Sequence, residues 1–376
     1  MLAPYHLIDV YARGALGEFA AFVWMPLIAL GLEALPKRWA VPLLAMSFAG
    51  LILSNLPVAL LVSIFLIAPF CLHRLWRDRS VLLPGALAGG LGVALAAFYL
   101  LPALTLQEHV TTSLLWGAYY KPSSWFLWNG PPIVFLFLLP PIALAMAMLS
   151  LLARSVWSVI TVVAALAAVG LIPFVWDIPL LARTQFPWRL LCVVEFAAIT
   201  ALTARPPRPV WFALAAAVLM FPYLTGISRA LDAIHKPVDE AELARVMPDA
   251  PEYLPRGFDV SDVRDLQRSV NLAPYRKLPR APVIVVPRRA HVTLHRAAFP
   301  IWRVEKNGVD VPTQGPLISF DATPGVYRVV RVAIWQEWIG GLVSLAAAML
   351  LAGWSLLVRG GPAGARRRPR TPATQS

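Results

Sequence analysis

The sequence has few cysteines and few charged side chains, and both scarcities narrow the kind of protein that it encodes. Only two cysteines occur in 376 residues, Cys71 and Cys192, and each lies within an apolar run without metal-ligand spacing. This argues against a disulfide framework and a cysteine zinc site, and it predicts that both thiols are buried small hydrophobes. Charged residues make up 14% of the chain, against about 25% in soluble domains.

The low content of charged residues is matched by a high content of hydrophobic residues. They make up 59% of the chain, and the mean hydropathy is +0.66, so the sequence predicts an integral membrane protein. The net charge of +13 does not indicate nucleic-acid binding, because it is concentrated partly in a tail after a hydrophobic segment. Such a cluster is typical of a cytoplasmic end anchored on anionic lipid. Its arginines are Arg366, Arg367, Arg368 and Arg370.

The apolar runs predict about nine transmembrane helices, since about 20 apolar residues cross a hydrocarbon core of about 30 Å. The second and third of these runs are the shortest. The predicted spans are 17–35, 39–54, 56–72, 82–105, 131–153, 156–174, 187–204, 208–226 and 337–358.

Basic residues in the short loops predict the orientation of these spans. If the spans alternate, one side of the membrane carries Lys37, Arg38, Arg74, Arg77, Arg79, Arg154, Arg205, Arg208 and the arginine-rich tail. We expect that side, and hence the C-terminus, to be cytoplasmic. The opposite side then receives residues 1–16, the turn at 54–55, and the segments 106–130, 175–186 and 227–336. An external N-terminus without a signal peptide leads us to expect a chain truncated at its front, the alternative being a short tail translocated unaided.

We therefore expect a polytopic α-helical membrane protein with a small extracytoplasmic β-rich domain before the last helix. The predicted parts are a helical bundle at 1–226, an α+β domain with antiparallel strands at 227–336, the last span at 337–358, and a basic disordered tail at 359–376. A helix is expected after Pro237, and short β-branched runs follow from Pro282. Asn307-Gly308 between alternating runs predicts a type I′ hairpin, and Pro324-Gly325 predicts another turn. The pair His291 and His295 lies on a predicted strand, where positions i and i+4 are about 13 Å apart and cannot share one metal ion.

Polar residues concentrate at the expected outer face, where ionisable groups at membrane depth mark cavities or pairs. Asp9 and Arg13 are four residues apart and can pair on a helix, with His6 on the same face. Glu18 lies one turn deeper, after Gly14 and Gly17, where small residues admit a close neighbour. The candidate catalytic carboxylates are Glu18, Glu108 and Asp9. The candidate substrate-binding residues are Arg13, Arg183, Gln185, Arg189, Asn55 and His109.

Structural roles remain open for several of these residues. Asp9 and Arg13 are compatible with a purely structural ion pair, and Arg189 with snorkelling to lipid headgroups. Glu33 and Glu195 are expected to be boundary or helix-packing residues. The loop "LLWGAYYKPSSWFLWNG" suits an aromatic interfacial segment, or a cover over a sugar or lipid-linked substrate.

Several motifs carry a resemblance to a known family. They are "YARGALGEF", "LSNLP", "LPAL" with "QEH", "FPWRLL", "EYLPR" and "FPIWRVEKNGVDV". In their order and outer-side placement, they make the chain resemble the bacterial membrane proteins catalogued as 6-pyruvoyl-tetrahydropterin-synthase-related domains, and with them the YfhO-like proteins and the GT-C glycosyltransferases. The resemblance covers nearly the whole chain. It implies no pterin chemistry, because the sequence lacks the histidine cluster of such a synthase.

The resemblance implies a bacterial inner-membrane enzyme that transfers sugar from a polyprenyl-phosphate donor to a glycan or lipid acceptor in envelope assembly. An acidic residue in the first outer loop would act as base or as ligand of a divalent cation. We expect the span that precedes that loop in GT-C proteins to be missing here, so Asp9 would be only a stand-in, and the chain is expected to be either an enzyme or a truncated remnant. The competing hypothesis is a non-catalytic membrane scaffold or a lipid or glycan transporter. Prolines interrupt several spans, as in transporters, but the sequence shows no internal repeat.

Overall fold

A computed structural model describes residues 4–110, 120–129, 139–235, 255–257 and 278–360. Several predicted features lie outside these residues. They are the helix after Pro237, most of the tail at 359–376, parts of the aromatic loop, and the first residues of the span at 131–153.

The described chain is mostly helical. Its α-helices are α1 (Pro4–Leu7), α2 (Leu16–Ala21), α3 (Trp24–Ala34), α4 (Ala40–Ser54), α5 (Leu56–Val62), α6 (Ala68–Arg77), α7 (Leu82–Leu95), α8 (Ala97–Thr105), α9 (Leu139–Leu151), α10 (Val156–Ala168), α11 (Pro179–Ala182), α12 (Leu191–Ala204), α13 (Pro209–His235) and α14 (Trp335–Gly360). A π-helical turn, Ile8–Ala12, continues α1, and a second one, Ser63–Ile67, joins α5 to α6.

Four helical stretches in the described residues are long and apolar enough to cross a membrane. They are Leu16–Ala34, Leu56–Arg77, Pro187–Ala204 and Trp335–Leu356. A fifth is present if Arg79–Leu95 and Ala97–Thr105, which meet at 67°, form one bent span. The other predicted spans contain shorter apolar helices: Ala40–Ser54, Pro140–Leu151, Val156–Ala168 and Pro209–Met220. The membrane character of the sequence is therefore reproduced by helices of suitable length and composition.

The helices α7 and α8 meet in a bend at Ala96. The last helix, α14, packs against this bend. The Ser344 hydroxyl accepts a hydrogen bond from the Phe98 N–H (3.0 Å) and donates one to the Ala94 carbonyl (3.1 Å). Gly340 permits this approach, because a Cβ there would lie 2.7 Å from the Ala97 carbonyl oxygen. The side chain of α14 thus satisfies backbone groups that a helix bend releases in an apolar environment.

Helix α13 differs from the sequence prediction. The eighth span was expected to end at 226, but the helix continues to His235. The segment "GISRALDAIH" adds charges, which suggested a soluble domain, yet it contains no proline to stop a helix. A change to polar residues indicates where a helix leaves an apolar environment. It does not indicate where the helix itself ends.

The strands near the C-terminus form two antiparallel sheets, as the β-branched runs predict. They are β1 (Val283–Val286), β2 (Ala290–Ala297), β3 (Trp302–Lys306), β4 (Val309–Val311), β5 (Leu317–Ala322) and β6 (Gly325–Arg331). One sheet has the order β1-β6-β3-β4, and the other pairs β2 with β5. Their shared core includes Leu294, Val304, Phe320 and Tyr327. Residues 332–334 connect β6 directly to α14.

The hairpin between β3 and β4 has the predicted geometry. Asn307 and Gly308 have φ values of 53° and 79°, as a type I′ turn requires, and Lys306 pairs with Val309. At Pro324-Gly325 the chain bends from β5, in one sheet, into β6, in the other. The turn at Asn307-Gly308 therefore accounts for the register of β3 with β4.

Candidate functional site

A buried carboxylate, Glu18, lies between two arginines from distant parts of the chain. Its Oε2 accepts a hydrogen bond from Arg13 Nη1 at 2.6 Å, and its Oε1 accepts one from Arg189 Nε at 2.6 Å. Arg13 Nη2 donates to Oε1 at 3.2 Å, and the Tyr5 hydroxyl donates to Oε2 at 3.1 Å. Glu18 is 4% exposed, so this is a charge cluster removed from bulk water.

The irregular start of the chain brings Arg13 back to Glu18. Asp9 lies in the π-helical turn after α1, and Arg13 Nη1 donates to its Oδ1 at 2.5 Å and to the Tyr5 hydroxyl at 3.0 Å. Gly14 then adopts φ +62°, a left-handed conformation that glycine accepts readily, and the chain turns into α2. The predicted Asp9–Arg13 pair is present, and the same guanidinium also binds Glu18.

Arg189 reaches the cluster from the 3₁₀ turn Pro187–Leu190 that precedes α12. Its Nη1 donates to the Thr184 carbonyl at 2.8 Å and lies 3.4 Å from the Gln185 side-chain oxygen. The guanidinium also lies over the Phe186 ring, 5.0 Å from its centroid. Gln185 has φ 67°, so the loop before α12 is tightly turned. The side chain of Arg189 is 12% exposed and bound at each end, which differs from snorkelling toward headgroups.

Glu195, for which the sequence predicts a boundary or helix-packing role, is a third buried carboxylate. Its Oε1 accepts the Tyr5 backbone N–H at 2.7 Å, and its Oε2 lies 4.0 Å from His6 Nδ1. This contact joins α12 to the start of α1. The signal that identifies such a residue is a single carboxylate within an otherwise apolar span, which is rare and functional by default.

The carboxylates outnumber the guanidinium groups in this cluster. Asp9 and Glu18 bond Arg13, Glu18 also bonds Arg189, and Glu195 contacts Tyr5 and His6. Asp9 Oδ2 and Glu195 Oε2 have no hydrogen-bond partner in the described structure. Burial, followed by the nearby negative charge of Glu18, raises the pKa of Asp9 to about 7 despite its bond to Arg13. Asp9 shares its guanidinium group with Glu18, so Arg13 does not fully compensate the charge of Asp9.

Asn55 and Arg183 are not among the hydrogen-bond partners of Glu18 in the described structure. Asn55 caps α5 by accepting the Val58 N–H at 3.0 Å. A Cβ on Gly17 would lie 2.8 Å from the Ser54 carbonyl oxygen and 3.6 Å from Asn55 Nδ2. The start of α2 therefore packs closely on the end of α4, as the small residue predicts. Arg183 follows α11 and is exposed.

Glu108 and His109 lie elsewhere, although they were expected to share this site. They occupy a 3₁₀ turn after α8, where their side chains are 72% and 35% exposed. The His109 ring packs edge-on against Phe299 of the sheet region, and its carbonyl accepts the Arg256 N–H at 3.0 Å. Loop topology predicts which side of a membrane a residue occupies, but it does not predict the lateral position on that side.

The described residues contain no group of three or more metal-ligating side chains close enough to hold an ion. On strand β2, His291 Nδ1 lies 2.9 Å from the carboxylate of Asp321.

The chain matches no known family, no curated protein and no solved structure in the comparisons made.

Proposed function

We propose that the protein is a GT-C-like membrane glycosyltransferase that takes sugar from a polyprenyl-phosphate carrier for cell-envelope glycan assembly. The observation that supports this is the clamping of Glu18 between Arg13 and Arg189. Guanidinium groups are the side chains best suited to phosphate, and a carboxylate is a general base for an acceptor hydroxyl. The cluster brings both kinds of group to one place.

The proposed topology has nine spans in a bacterial plasma membrane, with a cytoplasmic C-terminus and residues 227–336 outside. Contacts at the two ends of the helices are consistent with it. Arg74 bonds Glu33 and the Leu35 carbonyl, and Trp354 donates to the Arg38 carbonyl, which joins segments assigned to the cytoplasm. The Glu18 cluster and the contact of Gly17 with the end of α4 join segments assigned to the outside.

The proposed reaction begins with an exchange of anions. The phosphate of the carrier replaces Glu18 as the partner of Arg13 and Arg189, so the guanidinium groups stay paired while the carboxylate becomes free. Glu18 then accepts the proton of the acceptor hydroxyl group, while the oxygen of that hydroxyl group bonds to the anomeric carbon of the donor sugar. The bond between that carbon and the phosphate oxygen breaks, and its electron pair leaves with the phosphate, whose charge the arginines bind.

A second candidate, a non-catalytic scaffold or a lipid or glycan transporter, is favoured by one observation. Both oxygens of Glu18 are already occupied, so the carboxylate cannot accept a proton unless an arginine contact opens. In this alternative, the cluster holds α2 and α12 together, and it binds substrate phosphate without chemistry.

The test compares Glu18→Gln and Arg189→Lys with the matched control Glu33→Gln. Glu33 is a carboxylate in the same helical stretch, but it is 63% exposed and has a single 3.3 Å contact with Arg74. Each protein is reconstituted in liposomes with radiolabelled polyprenyl-phosphate hexose, N-acetylhexosamine or pentose and an envelope lipid fraction as acceptor. Folded yield is followed by size-exclusion chromatography.

The proposal predicts transfer by the wild type, a loss of about 10²–10⁴-fold in Glu18→Gln, and unchanged transfer in Glu33→Gln. Arg189→Lys keeps the charge but loses the planar donor set, and it should weaken donor binding. Wild-type transfer that survives in Glu18→Gln would overturn the assigned base. Absence of transfer from every donor would overturn the enzyme in favour of the non-catalytic role.

A further inference from the structure

A polar cavity lies where the turn after α8 meets the sheet region. It has a volume of about 310 Å³ and is lined by Glu108, His109, Pro255, Arg256, Ala298, Gly315 and Pro316. None of these residues contacts the Glu18 cluster in the described structure. The proposed transfer reaction therefore leaves this cavity without a role.

Backbone contacts hold the walls of the cavity together. Val110 and Pro255 form an isolated antiparallel bridge, and the Arg256 N–H donates to the His109 carbonyl at 3.0 Å. On the sheet side, the Ala298 N–H donates to the Pro316 carbonyl at 3.0 Å. Because these bonds use the main chain, the side chains facing the cavity can be exchanged without removing the links between its walls.

The charged groups of the cavity select the chemistry of its ligand. Glu108 supplies an acceptor with one negative charge, Arg256 supplies donors with one positive charge, and the His109 ring either donates or accepts. An anion would be repelled by Glu108, and an apolar ligand would desolvate both charges without compensation. A ligand with neighbouring hydroxyl groups both donates to the carboxylate and accepts from the guanidinium.

Shape points to the same class of ligand. The volume is at the small end of the range of about 300–1,000 Å³ for small-molecule sites, so a single ring fits better than a long chain. One wall is partly apolar, since Ala298 and Pro316 line it and Phe299 packs against the His109 ring at 5.6 Å. An apolar wall beside a few polar groups suits a sugar ring, which has both an apolar C–H surface and polar hydroxyl groups.

We propose that this cavity binds a neutral pyranose, with Glu108 and Arg256 holding adjacent hydroxyl groups. The ring comes from a free saccharide or from the headgroup of a glycolipid. The site does not depend on sugar transfer at Glu18, because binding requires no donor and no reaction.

The experiment uses the full chain in phosphatidylglycerol nanodiscs, since alkyl glycoside detergents would present competing pyranose rings. Saturation-transfer NMR measures the binding of a panel of neutral methyl pyranosides, and a parallel arm incorporates a neutral glycolipid into the disc. Inorganic phosphate is titrated separately. The variants are Glu108→Gln, Arg256→Gln and Ala298→Phe, with Asp310→Asn as an exposed carboxylate control in the same sheet region.

We expect saturable binding of at least one neutral pyranoside or of the glycolipid, and the responding arm identifies the source. Affinity should fall at least tenfold in Glu108→Gln and Arg256→Gln, and Ala298→Phe should abolish binding by filling the cavity. Asp310→Asn should bind as the wild type does.

Three results would overturn the proposal: no saturable binding in either arm, binding that all three cavity variants retain, or phosphate binding that depends on Arg256. Glu18→Gln separates this proposal from the transferase. It removes transfer if that proposal holds, and it leaves pyranose binding unchanged.

Discussion

The interaction between Glu18 and Arg189 should be among the strongest side-chain couplings in the described residues. The two residues are 171 positions apart, and the Nε–Oε1 distance is 2.6 Å between side chains that are 12% and 5% exposed. Removing Glu18 leaves buried Arg189 without a carboxylate partner, which costs about 3–5 kcal/mol. We therefore expect Glu18→Ala to destabilise the protein by about that amount, and Arg189→Met to destabilise it by less, because Arg13 still pairs with Glu18.

A double-mutant cycle isolates the pair from its surroundings. The double variant removes both charges, so it should be destabilised by less than the sum of the single variants, with a coupling energy of about 2 kcal/mol. The matched cycle on Glu33 and Arg74, an exposed pair at 3.3 Å, should give less than about 1 kcal/mol. Reversible unfolding in mixed micelles, followed by tryptophan fluorescence, gives the free energies. A Glu18–Arg189 coupling no larger than the control would refute the reading of this cluster as a strong buried ion pair.

Three further predictions concern groups around this cluster and the bent span. Asn55→Ala should cost about 1 kcal/mol in unfolding free energy, because the Val58 N–H loses its cap, and Asn55→Asp should restore it. Ser344→Ala should cost about 1–3 kcal/mol in the same assay by leaving the Phe98 N–H unsatisfied, whereas Ser344→Thr should cost less. Asp9 has a raised pKa in the folded protein, so its contribution to stability is complete below about pH 4 and is lost as pH rises to about 7. Asp9→Asn should therefore gain stability relative to wild type across that window in unfolding curves, and a constant difference would contradict the raised pKa.

Local signals in the sequence predicted much of the fold. Apolar runs predicted helices, and four of the described helical stretches, or five with the bent pair, are long and apolar enough to cross a membrane; nine spans stay a prediction. Asn307-Gly308 predicted its hairpin, because few residue pairs accept positive φ at two successive positions. The bend at Ala96 was not predicted, since it depends on the Ser344 hydroxyl about 250 residues away. No local pattern encodes a hydrogen bond of that kind.

Local signals also predicted part of the candidate site. The pairing of Asp9 with Arg13 follows from helical spacing, and the scarcity of charges in the spans identified Glu18 and Arg189 as unusual. The link from Tyr5 to Glu195 uses a backbone N–H, which every residue except proline has, so the sequence carries no sign of it. Whether the site residues act on a substrate stays a prediction.

The occupied state of Glu18 connects the cluster to the proposed chemistry. A carboxylate held by two guanidinium groups is a poor proton acceptor and a good place-holder for another anion. Phosphate presents the same kind of oxygen ligands to Arg13 and Arg189, so its entry exchanges one set of charged hydrogen bonds for another and leaves neither arginine uncompensated. The carboxylate that it displaces would then lose the hydrogen bonds from both guanidinium groups, so its oxygens would be open to accept the proton of a hydroxyl group. Binding of the lipid phosphate would in this way produce the base at the moment when an acceptor hydroxyl needs one, and a chain without bound carrier would keep its carboxylate inactive.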